Sequence, residues 1–181
     1  MGIALNIALI LLELWALRMV ISRGWKLFVF YTQISNILTF LSSAAFLAFG
    51  AGAAWLRYTS VCMMVMTGLV TAFVLVPMGG DPKQLLWSGS GLYHHVICPV
   101  LTLVSYVFFE PHVGFGLLWV PVAITLVYGM IMLYLNAKGI VDGPYPFFRV
   151  RQQSAGATVL WMLILVIALT VISSLVCLVS P

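Results

Sequence analysis

Phe30-Tyr31-Thr32-Gln33-Ile34-Ser35-Asn36 lies inside residues 27–49, a run whose other side chains are at home in hydrocarbon. Thr32, Ser35 and Asn36 fall at i, i+3 and i+4, so on a helix they share one face. In a bilayer that face cannot look at acyl tails, because unpaired polar groups there find no water to bond. It must point into a helix bundle or a wet cavity. Serine, threonine and asparagine on such a face routinely bond neighbouring helices, and this is the plainest reading of the stretch.

The whole chain supports a membrane setting. Its 181 residues are 64% hydrophobic and only 7% charged, with a mean hydropathy of +1.17. A soluble domain carries about 25% charged residues, so this chain cannot cover a water-facing surface. We expect an all-α polytopic membrane protein in which residues 1–181 form a single transmembrane domain. A net charge of +4 without a basic stripe excludes a nucleic-acid partner. Cys62, Cys98 and Cys177 stand far apart in apolar runs. They read as small buried hydrophobes and make neither a metal pattern nor a disulfide framework.

A spanning helix needs about twenty apolar residues. On that measure the sequence predicts about six spans, near 2–21, 27–49, 57–77, 92–109, 115–135 and 155–178. The first run is long enough to be a span rather than a cleavable signal. Residues 50–54 make a tight Gly/Ala turn, residues 78–91 a polar Gly-rich loop, and Glu110-Pro111-His112 ends the fourth span. The longest polar connection is 136–154.

Basic residues set the expected orientation. Arg23, Lys26, Lys83, Lys138, Arg149 and Arg151 follow spans one, three and five, with Arg18 just inside the first. Arg57 stands alone on the other side, against Glu110. The positive-inside rule makes the basic side cytoplasmic and puts both termini outside. Thr32, His94, His95 and Tyr145 then all belong to the basic face. Far apart in sequence, they converge at one interface.

Intramembrane histidines call for a functional explanation. In Tyr93-His94-His95-Val96-Ile97-Cys98-Pro99 the two rings point about 100° apart, so one at most faces the site squarely. Pro99 withdraws the helix bond to the carbonyl of His95, which favours His95 over His94. A threonine hydroxyl becomes a nucleophile only with a base within about 2.6–3.2 Å, and imidazole suits that task near neutrality. Ser35, Asn36 or a tyrosine can orient the ring or donate to an oxyanion. No aspartate stands nearby, so the arrangement is a dyad of Thr32 and His95. The competing account is a Thr/Asn/His network that only ties helices together. Glu13, a carboxylate well inside a span, is expected to line the cavity, snorkel toward Arg18 or serve as a structural partner.

Three motifs in order, Thr32-Gln33-Ile34-Ser35-Asn36, His95-Val96-Ile97-Cys98-Pro99 and Tyr145-Pro146-Phe147, give a chain that resembles the androgen-induced-protein family and its bacterial Pr6Pr-type relatives. The resemblance covers most of the sequence. It implies a membrane lipid hydrolase cleaving fatty-acid esters of hydroxy fatty acids with a threonine nucleophile and a histidine. The threonine falls on Thr32. The bacterial spacing to the proline selects His95, and the animal spacing selects His94.

The leading expectation is a membrane-embedded ester hydrolase for acyl lipids. Thr32 attacks, His95 or His94 acts as base, and Ser35, Asn36, Glu13 and Tyr145 support the site. The alternative is a non-enzymatic binding or transport subunit, and acyl transfer through Cys98 is a third course. No cofactor or metal is expected, since His112 falls on the far face from His94 and His95. The partners expected are the lipid substrate and membrane lipids, with a homo-oligomer left open. The location is an integral multi-pass one, in the cell membrane if the source is bacterial.

Overall fold

The computed structural model describes residues 1–179. Six helices form one bundle: α1 (Gly2–Arg18), α2 (Tyr31–Phe49), α3 (Ala54–Val70, extended by a π-turn over Thr71–Leu75), α4 (Gly89–Phe109), α5 (Trp119–Ala137) and α6 (Ala155–Leu178). No strand occurs among the described residues.

Four stretches are long and apolar enough to cross a membrane, and the bent pair Gly2–Arg18 and Ile21–Val29 makes a fifth. The longest stretch, Tyr31–Leu75, has 45 residues. At about 1.5 Å per residue it would be roughly twice as long as the hydrocarbon core is thick. It therefore folds back, at Gly50, whose φ of 54° and ψ of −125° suit a residue without a Cβ. α2 and α3 pack against each other as a hairpin. The protein is an all-α membrane bundle.

The sixth span matches its expected limits, and others differ at their ends. Residues 21–29, expected to join a basic connection to the start of span two, form a 3-10 turn bent 103° from α1. Gly24, at φ 57°, kinks this segment internally, and Phe30 is extended, so α2 starts only at Tyr31. Thr32 thus sits in the first turn of a helix.

α3 is the centre, packed on α2, α4, α5 and α6. Its buried side chains include Tyr58, Val61, Cys62, Met63 and Met66, but also Arg57, Thr59 and Ser60. α2 buries an almost wholly polar stripe, Thr32, Gln33, Ser35, Asn36, Thr39, Ser42 and Ser43. α6 is the opposite case, burying only Leu169, Ile172, Ser173 and Val176 of 24 residues. Hydrocarbon solvates leucine as well as a protein core does, so buried polar contacts rather than apolar ones select the interior.

The largest such contact joins residues read as isolated charges from sequence. Arg57 Nε donates to Glu110 Oε2 at 2.7 Å and Arg57 Nη2 to Glu110 Oε1 at 2.9 Å, both side chains fully buried. Asn6 and Ser105 also donate to Glu110 Oε1, and Arg57 Nη1 reaches Ser42 and Ser43. Residues of α1, α2, α3 and α4 are thereby tied around one ion pair.

Candidate active site

The residues of α2, α4 and the α5–α6 connection meet at the first turn of α2. Tyr145, Phe147 and Phe148 leave the basic loop and turn inward, each under one-tenth exposed. Tyr145 stacks on Phe147 with centroids 5.2 Å apart, and Phe147 meets Trp161 at 5.7 Å. This aromatic wedge carries the Tyr145 hydroxyl to Thr32.

Thr32 Oγ1 lies 3.3 Å from His95 Nε2 and 3.2 Å from the Tyr145 hydroxyl. The Thr32 N–H donates to the same phenol oxygen at 3.3 Å. His95 Nδ1 stands 2.8 Å from the Leu85 carbonyl. A carbonyl can only accept, so Nδ1 carries the proton and Nε2 presents its lone pair to the threonine. Every bond in the chain then has one donor and one acceptor. His95 Nδ1–H donates to Leu85, Thr32 Oγ1–H to His95 Nε2, Tyr145 O–H to Thr32 Oγ1, and Thr32 N–H to Tyr145.

Leu85 was not among the residues anticipated. Its side chain is immaterial, because the working group is a backbone carbonyl in the loop before α4. The sequence carries only an indirect sign, the loop's glycines. A Cβ at Gly91 would run into the carbonyls of Gln84 and Leu85, so glycine there lets the loop lie close against α4. The disturbance expected from Pro99 is also present, as a π-turn over Tyr93–Ile97. α3 approaches the His95 carbonyl at Gly68, where a Cβ would stand 3.2 Å away.

Ser35 and Asn36 hold the backbone and not the hydroxyl. Ser35 Oγ donates to the Thr32 carbonyl at 3.0 Å and meets Thr67 Oγ1 at 2.8 Å. Asn36 Nδ2 donates to the same carbonyl at 2.6 Å. His94 points elsewhere, with Nδ1 3.2 Å from Gln33 Nε2. Glu13 is distant from this chain of bonds and lines a separate cavity with His94, Gln33 and Asn36. It makes no ion pair with Arg18, whose guanidinium lies over Trp15. Cys98 packs with Leu9 and Met64.

The hydroxyl of Thr32 opens on an apolar cavity of about 60 Å³, lined by Met66, Val70, Leu126, Met162 and Val166 among others, between α2, α3, α5 and α6. Burial raises the Tyr145 phenol above its ordinary value, so it remains a proton donor at neutral pH. Arg23 lies 5.8 Å over Phe30, whose ring meets Tyr145 edge-on, which sets a cation beside the site. No family model, curated protein or solved structure matches this chain.

The arrangement brings the predicted hydroxyl and imidazole to 3.3 Å, just beyond the range of about 2.6–3.2 Å for a formed catalytic hydrogen bond. It sets a threonine hydroxyl against an imidazole of fixed tautomer whose ring is oriented by a carbonyl, in the first turn of a helix where the dipole favours negative charge.

Proposed function

We propose that this protein is a membrane-embedded ester hydrolase for acyl lipids, related to the androgen-induced-protein family and residing in a cell membrane. One observation carries the reading: Thr32 Oγ1 is 3.3 Å from a His95 Nε2 whose other nitrogen is held by Leu85. A network serving only to glue helices needs no imidazole of fixed tautomer against a threonine that lines an apolar cleft.

In the proposed reaction Thr32 Oγ attacks the ester carbonyl as its proton passes to His95 Nε2. The oxyanion is met by the Tyr145 hydroxyl, which turns to it from Thr32 Oγ1. Collapse breaks the acyl–oxygen bond, and the leaving alcohol takes the proton from His95. Water, deprotonated by the same imidazole, then cleaves the acyl-threonine, which releases the acid. The apolar cleft suits an extended methylene chain, and fatty-acid esters of hydroxy fatty acids are the substrates to try first.

Treating the detergent-purified protein with a fluorophosphonate tests this. The wild type should gain one adduct in its intact mass, absent from Thr32→Ala and His95→Ala, and lipid-ester turnover should fall by about 10⁴-fold or more in both. A folded wild type that takes no adduct would instead favour a binding or transport role.

A further inference from the structure

The cavity that Thr32 lines is short. Its volume of about 60 Å³ gives room for about four to six water-sized groups, at about 10–15 Å³ each. A methylene is of similar size. An acyl chain whose ester carbonyl lies at Thr32 can therefore set only its first few carbons inside. Met66, Val122 and Leu169 line the cavity as well and are buried among the core side chains, which leaves a longer tail no room on that side. The rest of a long chain must leave through the wall.

α5 shows where. Of the described residues that line the cavity, Leu126 alone is exposed, at 40%. Helical spacing explains its double position. Leu126 is four residues after the buried Val122, three before the buried Gly129, and four before Met130, which is 66% exposed. It stands on the border between the inner and outer faces of α5. Gly129 lies on the same border. A Cβ there would meet Met162 Sδ at 3.7 Å and Phe148 at 3.9 Å, so this edge of α5 faces α6. Both would be ordinary contacts, and the backbone is ordinary helix, so neither crowding nor conformation demands glycine. Glycine inside a helix weakens it; what it supplies here is a notch between α5 and α6. These two spans are also the least buried of the four, at 28% and 22%.

We propose that the acyl tail of the ester leaves the cavity sideways between α5 and α6, past Leu126 and across the notch at Gly129, and stays in the bilayer. The inference rests on the hydrolase reading and adds its substrate class: esters whose acyl chain is longer than the cavity, taken from the plane of the membrane. An apolar wall continuous with the lipid-facing side of α5 suits a hydrocarbon chain and nothing charged. Gly129 is then a specificity-determining residue, since a side chain there would narrow the passage, its neighbours being Met162 and Phe148 rather than the dyad.

The full chain in phosphatidylcholine vesicles, treated in turn with fluorophosphonates bearing an ethyl or a hexadecyl chain on phosphorus, provides the test. Thr32 Oγ forms the O–P bond, fluoride leaves, and the threonine proton passes to His95; adducts are followed by intact mass. Gly129→Leu should lower the ratio of hexadecyl to ethyl rates about tenfold against the wild type, the discrimination that a misfit of about one carbon costs in an apolar pocket. Gly129→Ala should lower it by less. On the wild type, a hexadecyl probe with a diazirine midway along its chain should, once attached and irradiated, cross-link to α5 and α6. This arm stands even where Gly129→Leu fails to fold. An unchanged ratio in folded Gly129→Leu, or cross-links confined to α2, α3 or the basic loops, would overturn the lateral path and leave the hydrolase reading intact. A wild type that reacts with neither probe would overturn both.

Discussion

The Arg57–Glu110 cluster and the Thr32–His95 cluster are built from similar polar residues, toward opposite ends of α2. In the first, the ion-pair bonds are 2.7 and 2.9 Å long, both partners are fully buried, and Glu110 gathers Asn6, Ser105 and Arg57. In the second, the bonds to Thr32 Oγ1 are 3.2 and 3.3 Å, His95 is partly exposed, and the hydroxyl faces a cleft. A network that closes on itself serves as helix glue. One with longer contacts and an open side has room for a substrate atom, and such bonds often tighten only when a reacting group arrives.

The largest effect we expect would break this contrast on its structural side. Arg57→Leu strands a buried carboxylate and should destabilise the bundle by about 3–5 kcal/mol, seen as loss of folded protein or a much lower melting temperature in detergent. Replacing both partners by apolar residues should recover part of that loss. If Arg57→Leu melts like the wild type and loses only ester turnover, the two clusters have been assigned the wrong way round.

Next comes Tyr145→Phe, which keeps the aromatic wedge and removes one donor. Turnover should drop by about 10²- to 10³-fold, as for loss of one oxyanion donor, with the melting temperature little changed. An unchanged rate would reduce Tyr145 to packing.

Gly91→Ala should have the smallest effect of the three. It pushes on the Gln84 and Leu85 carbonyls, and a displacement of about 1 Å in the group orienting His95 can cost about 10²-fold. The loss should appear in kcat more than in KM. A normal rate would mean that His95 keeps its tautomer without Leu85.

Much of this architecture is legible along the chain. The apolar runs locate the helices, and 155–178 is right at both ends because no charged residue or proline interrupts it. The spacing of Thr32, Ser35 and Asn36 identifies a buried polar face, and Pro99 points to His95. The turn after residue 49 is read correctly from its glycines and alanines, whereas the start of α2 at Tyr31 escapes that reading, because the kink at Gly24 and the extended Phe30 leave the hydropathy of their neighbours unchanged. The role of Leu85 escapes it for another reason: a carbonyl is common to every residue, so nothing in the side chain announces it.

Sequence by itself therefore determined that the chain is a bundle of apolar helices with a polar stripe turned inward, since the absence of water in hydrocarbon permits nothing else. It also named Thr32, His95 and Tyr145 as groups for one face. Only the tertiary structure decided that Arg57 pairs with Glu110 across 53 positions, that Leu85 orients His95, and that His94 turns to a second cavity. Each of these depends on which helix faces which, and on Å-scale distances that no periodicity encodes.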